Sequence, residues 1–209
     1  MSYTVINPVN FGWLEYKLNE EEYQYVESCI ENKGPDVKYQ LAGNISGSYK
    51  LYDEKSWFWH NTVYPAVKEY SEKFKNIADT VPVSHHHTYF MNDWWVNYQY
   101  QTEFNPLHCH YGIYSFAIWM KIPTTHFEQN KSPLSLTSNS HNISIFEFVY
   151  PNTLGQLNTY AYEMNPDKEG MMLLFPSSMR HQVYPFYNCD KERISVAGNV
   201  CLYTGNCVP

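Results

Sequence analysis

The chain has 209 residues, 17% of them charged, and a formal net charge of −7. That length suits one large domain or two small ones and allows a substantial core. The acidic balance excludes a basic nucleic-acid footprint, and no stretch approaches the ~18 uninterrupted apolar residues of a membrane span.

Aromatic residues make up 18% of the chain, with 20 tyrosines and 6 tryptophans, a composition that favours strands. The first eight residues hold no basic region followed by an apolar run, so no signal peptide is expected. The five cysteines, Cys29, Cys109, Cys189, Cys201 and Cys207, are odd in number and form no CxxC. They read as free thiols in a reducing compartment, with the cytoplasm as the expected location.

Residues 3–18 read as extended, interrupted by Pro8 and Gly12. Asn19 then precedes Glu20, Glu21 and Glu22, an N-cap followed by acids where the helix dipole favours them. Tyr23, Val26 and Ile30 continue at helical spacing, which predicts a helix of about twelve residues ending at Lys33-Gly34-Pro35. Residues 36–52, with Gly43, Gly47 and small polar neighbours, read as a loop. A second helical pattern covers 54–77, with Val63, Val67, Tyr70, Phe74 and Ile77 as its apolar stripe. Pro65 predicts a kink there or the first turn of a separate helix.

From residue 83 the texture changes to strands. Candidates are 85–90, 93–100, 115–122 (stopped by Pro123), 143–149, 159–164, 171–175 and 193–203. The polar stretch 123–142 reads as a mobile loop, a candidate lid at a barrel mouth. Two helices followed by many short strands predict a mainly β fold with flanking helices, a double-stranded β-helix or jelly roll with the helices packed on one sheet. The whole of 1–209 is expected to form one domain, with 1–80 as helical support and 83–205 as the jelly-roll core.

The residues with the most chemistry are His108-Cys109-His110, His181 and Arg193-Ile194-Ser195. Imidazoles at i and i+2 share a face of an extended strand, and a third from a distant strand closes a three-point metal site. Cys109, between them, points the other way and reads as packing. His108 follows an Asn-Pro turn, and His181 follows the strand end at Phe175-Pro176-Ser177, so both stand at strand mouths. Histidine pairs also occur in loops with no ion, so the pair weighs only in this context. Arg193 lies in an apolar strand, where a guanidinium needs a negative partner, and Ser195 shares its strand face. A bidentate clamp on a ligand carboxylate fits that need. His85-His86-His87 is a rival cluster without a distant third partner.

These residues resemble the iron- and 2-oxoglutarate-dependent dioxygenases. The likeness runs from Trp94 to Asn199, through Trp95-Val96-Asn97-Tyr98, Asn105-Pro106-Leu107-His108-Cys109-His110, Lys121-Ile122-Pro123, Gly170 to Ser177, His181, Val183, Pro185 and Arg193-Ile194-Ser195. Within that superfamily it is similar to a group with members in phages and marine bacteria. The resemblance implies that His108 and His181 ligate Fe(II). His110 stands where the family carries a carboxylate, so an HxH replaces the family's HxD. Arg193 and Ser195 would hold the distal carboxylate of 2-oxoglutarate. Tyr98, ten residues before His108, would contact the cosubstrate as a tyrosine does in prolyl hydroxylases. Lys121 and Asn199 reach the same region by strand register.

The implied activity is hydroxylation of a small-molecule or peptide substrate with molecular oxygen, releasing succinate and CO2. Two other readings stay open on the residues alone. One is a cupin-type three-histidine dioxygenase that needs no 2-oxoglutarate, with Arg193 gripping the substrate's own carboxylate. The other is a non-catalytic jelly roll, a binding or structural protein that holds zinc or nothing.

Overall fold

Alternating side chains along the strands build two cores from one sheet. The computed structural model describes residues 4–5, 10–82 and 87–203. In chain order its strands and helices are β1 (Leu14–Lys17), α1 (Glu20–Glu31), β2 (Gly47–Lys50), α2 (Tyr64–Lys73), β3 (Thr88–Gln99), β4 (Asn105–His108) and β5 (Tyr114–Lys121). Then come α3 (His126–Asn130), α4 (Pro133–Leu136), β6 (Ile145–Pro151), β7 (Leu157–Glu163), β8 (Met171–Pro176), β9 (Arg180–Val183) and β10 (Arg193–Tyr203). The larger sheet runs β1-β8-β5-β10-β3-β2 and the smaller β4-β9-β6-β7, with every pairing antiparallel. This is the expected double-stranded β-helix.

On β5, Tyr114, Phe116, Ile118 and Met120 point outward to the helices, while Ala117 and Trp119 point inward. β8 repeats the division, with Met172 and Leu174 outside and Met171, Leu173 and Phe175 inside. The outer face carries Val26 and Cys29 of α1 and Val67 and Tyr70 of α2, so the helices do pack on one sheet. The inner face meets Phe146 and Phe148 of β6 across the sandwich.

The Asn19 signal works as a full capping box. Its side chain accepts the Glu22 N–H at 3.0 Å, and the Glu22 carboxylate accepts the Asn19 N–H at 2.8 Å. Glu22 is buried, and hydroxyls of Tyr16 and Thr62 also donate to it, so its charge is solvated from three sides. Pro65 falls in the first turn of α2, at the point where the helical hydrogen-bond pattern changes from π to α. A π-helical turn, Trp59–Val63, leads into it, and the Asp53 carboxylate accepts the Phe58 and Trp59 N–H groups at the entry. Phe74 already has extended backbone, so it and Ile77 lie beyond the helix.

Three sequence readings change. The segment 36–52 is not all loop, because Gly47–Lys50 pairs with β3 as an edge strand, and Ser48 donates to Asn97 at 2.8 Å. Residues 88–99 form one strand where two shorter ones were expected. The stretch 123–142 holds α3 and α4 and is pinned down. Gln129 bonds both the N–H and the carbonyl of Tyr187, and buried His126 reaches the His141 carbonyl. The N-terminal eighty residues also supply two strands of the larger sheet, β1 and β2.

Candidate active site

His108 is the last residue of β4 and stands directly opposite His181 on β9. Cross-strand partners place their side chains side by side, and the two ring centroids are 4.3 Å apart. β4 has ended before His110, whose N–H donates to the Ser177 carbonyl at 2.9 Å, just past β8. The chain then turns into β5 through Gly112 at φ +102°, where an added Cβ would lie 2.8 Å from the Val200 carbonyl oxygen. This turn sets the His110 ring 5.2 Å from that of His108 and 4.9 Å from that of His181. One ring nitrogen from each of the three lies within 4.8 Å of the others.

The protons are arranged for ligation. His108 Nδ1–H faces the Pro106 carbonyl at 2.7 Å, and His181 Nδ1–H faces the Met179 carbonyl at 3.1 Å. Both bonds leave Nε2 as a bare lone pair, the form that binds a metal. His110 Nε2 lies 3.3 Å from His108 Nε2, and its Nδ1 is buried without a partner. Burial lowers all three pKa values. That of His110 falls to about 4, with His108 adding to the effect, and burial holds that of His181 well below its ordinary value, with the two flanking imidazoles adding to it. Neutral imidazoles at neutral pH follow. Phe146, Phe175 and Trp95 wall the cluster, with ring centroids 5.5 and 5.1 Å from His181 and 5.8 Å from His110.

Arg193 opens β10 and is 1% exposed. Its Nη2 donates to Ser144 Oγ at 2.5 Å and its Nη1 reaches Gln99 Oε1 at 3.4 Å. The Phe186 ring lies 5.0 Å from its Cζ, and Nε has no partner. No acidic side chain pairs with it among the described residues. Burial pushes its pKa down to about 9, so it stays charged at neutral pH. A cavity of about 210 Å³ connects this guanidinium to the three imidazoles, and Ser195, Gln99 and Asn199 also line it.

Tyr98 is not in this cavity. Along β3, Trp95, Asn97 and Gln99 face the cavity, while Trp94, Val96 and Tyr98 face the helix layer. The Tyr98 ring packs edge-on to Tyr49 and carries the Lys33 ammonium 5.5 Å above it. Strand parity therefore puts Gln99 where Tyr98 was expected. Lys121 pairs with Glu192 at 2.8 Å and also leaves the site. Cys109 is exposed at the mouth, not packed. Residues 40–43, and not 123–142, edge that mouth. His85 and His86 of the rival cluster lie outside the described residues. Gln99, Ser144 and Phe186 were missed. Parity with Trp95 and Asn97 could have found Gln99. Ser144, at the end of a polar stretch with φ 58°, carried no signal.

A family model described as "Putative 2OG-Fe(II) oxygenase" matches residues 93–199, half of the chain and the span that holds all three histidines, Arg193 and Ser195. The chain belongs to this family. It is an Fe(II)- and 2-oxoglutarate-dependent oxygenase, and the three-histidine cluster is compatible with Fe(II). The oxygenase resembles a solved 2OG-Fe(II) oxygenase family oxidoreductase from Burkholderia pseudomallei, at 12% identity and TM-score 0.52, over 93% of this chain and 87% of that one. A Pseudomonas putida prolyl-4-hydroxylase matches at 14% identity and TM-score 0.49, over 90% and 91% of the two chains. A Trichoplax adhaerens prolyl hydroxylase, solved with a hypoxia-inducible-factor peptide, matches at 13% and 0.49, over 92% and 84%. At such identities the likeness concerns the fold. No curated protein sequence matches the oxygenase. None of its described helices is long and apolar enough to cross a membrane.

Proposed function

We propose that His108, His110 and His181 hold the Fe(II), that Arg193 with Ser195 holds the distal carboxylate of 2-oxoglutarate, and that the enzyme hydroxylates a small-molecule or peptide substrate. The observation that carries this reading is Arg193. It is a fully buried cation without an acidic partner among the described residues, opening on the same cavity as three convergent neutral imidazoles. A buried charge is tolerated when a ligand completes it, and a guanidinium matches a carboxylate with two parallel bonds.

Bound iron, 2-oxoglutarate and oxygen supply the oxidising chemistry, in which decarboxylation to succinate and CO2 accompanies C–H hydroxylation. The protein's part is placement. The Pro106 and Met179 carbonyls fix the tautomers and planes of His108 and His181. Gln99 and Ser144 fix the plane of the guanidinium, so a bound diacid is held at one end and oriented toward the metal at the other. Phe146, Phe175 and Trp95 keep bulk water from the centre. We read residues 1–209 as one oxygenase domain.

The test is spectroscopic and needs no substrate. Fe(II) and 2-oxoglutarate, added without oxygen, are expected to give a visible metal-to-ligand charge-transfer band. A spectrum that neither addition changes would refute the assignment of these residues.

A further inference from the structure

The third member of the clustered donors is the imidazole of His110 and not a carboxylate, and this sets the charge of the site. The following rests on the reading above. Iron brings two positive charges, Arg193 one, and 2-oxoglutarate two negative charges. As ligands the three imidazoles add no charge, and the Pro106 and Met179 carbonyls already take the Nδ1–H of His108 and His181 and leave Nε2 free to bind. The loaded site thus keeps one positive charge that a carboxylate in place of His110 would cancel. Nothing else in the cavity cancels it. Besides the histidines, Arg193 and Cys109, its wall contains aromatic, aliphatic, amide and hydroxyl side chains, and among the described residues no aspartate, glutamate or lysine lines it.

We propose that this uncancelled charge selects the substrate, and that the group entering beside the metal is an anion, a carboxylate or a phosphate carried by the substrate. In a site walled by Trp95, Trp119 and Phe146, an excess charge acts through a low dielectric and is felt more strongly than at the surface. The chain's overall charge of −7 opposes an anion at long range, but salt screens that field beyond ~8 Å. The local charge therefore decides.

The mouth has donors for such a group. Ala42 and Gly43 edge the cavity, and among the described residues neither backbone N–H is tied up in a backbone hydrogen bond. The Asn105 side chain lies against Gly43 in the space a Cβ would fill, and its amide oxygen is unpartnered. A flip of that amide presents its NH2 end instead. A cationic substrate would meet an excess of positive charge with no acid to offset it.

The experiment uses the anaerobic Fe(II)–2-oxoglutarate complex of the whole chain, titrated with acetate, its neutral isostere acetamide, and methylammonium. The readout is the position of the charge-transfer band. Acetate is expected to shift the band at a concentration on the order of tenfold lower than acetamide, as one unit charge a few ångströms away implies, and methylammonium to leave it unmoved. His110→Asp restores the missing negative charge and is expected to bring acetate and acetamide to within about threefold of each other. An equal response to acetate and acetamide in the unmodified enzyme overturns the proposal, whatever the variant does. So does an acetate preference that persists undiminished in a His110→Asp protein that still forms the band. Bleaching of the band by acetate, which marks loss of cosubstrate, also counts against it. If the unmodified enzyme forms no band, the metal and cosubstrate assignment fails first and this inference falls with it.

Discussion

Replacing Arg193 with methionine separates ligand binding from folding, because the two effects are expected to have opposite signs. In the folded chain the guanidinium pKa falls from 12.5 to about 9, and burial is the cause. At 1.36 kcal/mol per unit, holding that charge inside the empty fold costs on the order of 5 kcal/mol. The folded pKa lies below the unfolded one, so the cost is fully present below about pH 9 and fades only as pH rises toward 12.5. Methionine removes the charge and fills part of the same space against Phe186. The variant without ligands is therefore expected to melt no lower than the unmodified chain, and up to several degrees higher.

Cosubstrate affinity should move the other way. Removing one partner of a buried, hydrogen-bonded charge pair costs roughly 2–5 kcal/mol of binding, or about thirtyfold to several-thousandfold. Iron affinity should not change, because Arg193 is not among the clustered histidines. Calorimetric melting of the ligand-free proteins and anaerobic titration with 2-oxoglutarate give the two numbers. Unchanged cosubstrate affinity refutes the clamp. A ligand-free variant that loses many degrees shows that Arg193 has a stabilising partner in solution, and the argument from its solitude fails.

The parity of β3 gives a paired test. Tyr98→Phe should leave 2-oxoglutarate affinity within about twofold, because the ring faces Tyr49 and Lys33. Gln99→Leu, one residue on, should weaken it by about tenfold through loss of the bond to Arg193. A larger effect at Tyr98 than at Gln99 would restore the sequence reading. Acid should destabilise the metal-free protein in a defined window. The His110 pKa drops from 6.5 to about 4 on folding, so the unfolded chain binds protons that the folded one refuses as pH falls through that range. That imidazole alone accounts for roughly 3 kcal/mol lost between pH 7 and pH 4. Urea midpoints that stay flat over this range would contradict its burial.

Much of the site was legible because its signals are local. The N-cap at Asn19 with its following acids, the apolar run of β5 and the charge of Arg193 in an apolar strand need no partner to be recognised. What was not legible depends on pairing. Gly47–Lys50 is too short and polar to announce itself as a strand, and it becomes one because β3 offers a ladder. Four-residue strands such as β4 and β9 have too few residues for a period to show. The Tyr98 error has the same root. Counting ten residues back from His108 ignores the turn Tyr100–Phe104, and only the structure says which face of β3 points inward there.

The meeting of His108 with His181 rests on a weak ladder, which predicts a role for the metal in the fold itself. β4 is an edge strand joined to β9 by two residue pairs, Asn105 with Val183 and His108 with His181, with an irregularity between them. Pro106 contributes no N–H, and the Pro106 carbonyl is occupied by the His108 ring. Backbone bonding alone therefore holds this strand poorly, and it should open far more often than β5 or β10, which have partners on both sides. An ion bound by His108, His110 and His181 would tie the β4 end to β9 and to the turn anchored at Ser177. Metal affinity would then appear as local stability. Amide hydrogen exchange measured without oxygen, with and without Fe(II), is expected to slow by at least about tenfold at Leu107–His110 and at His181, and to change little in α1 or β5. Equal protection in both states would mean that the strand is already fixed without the ion, or that the ion does not bridge the two strands.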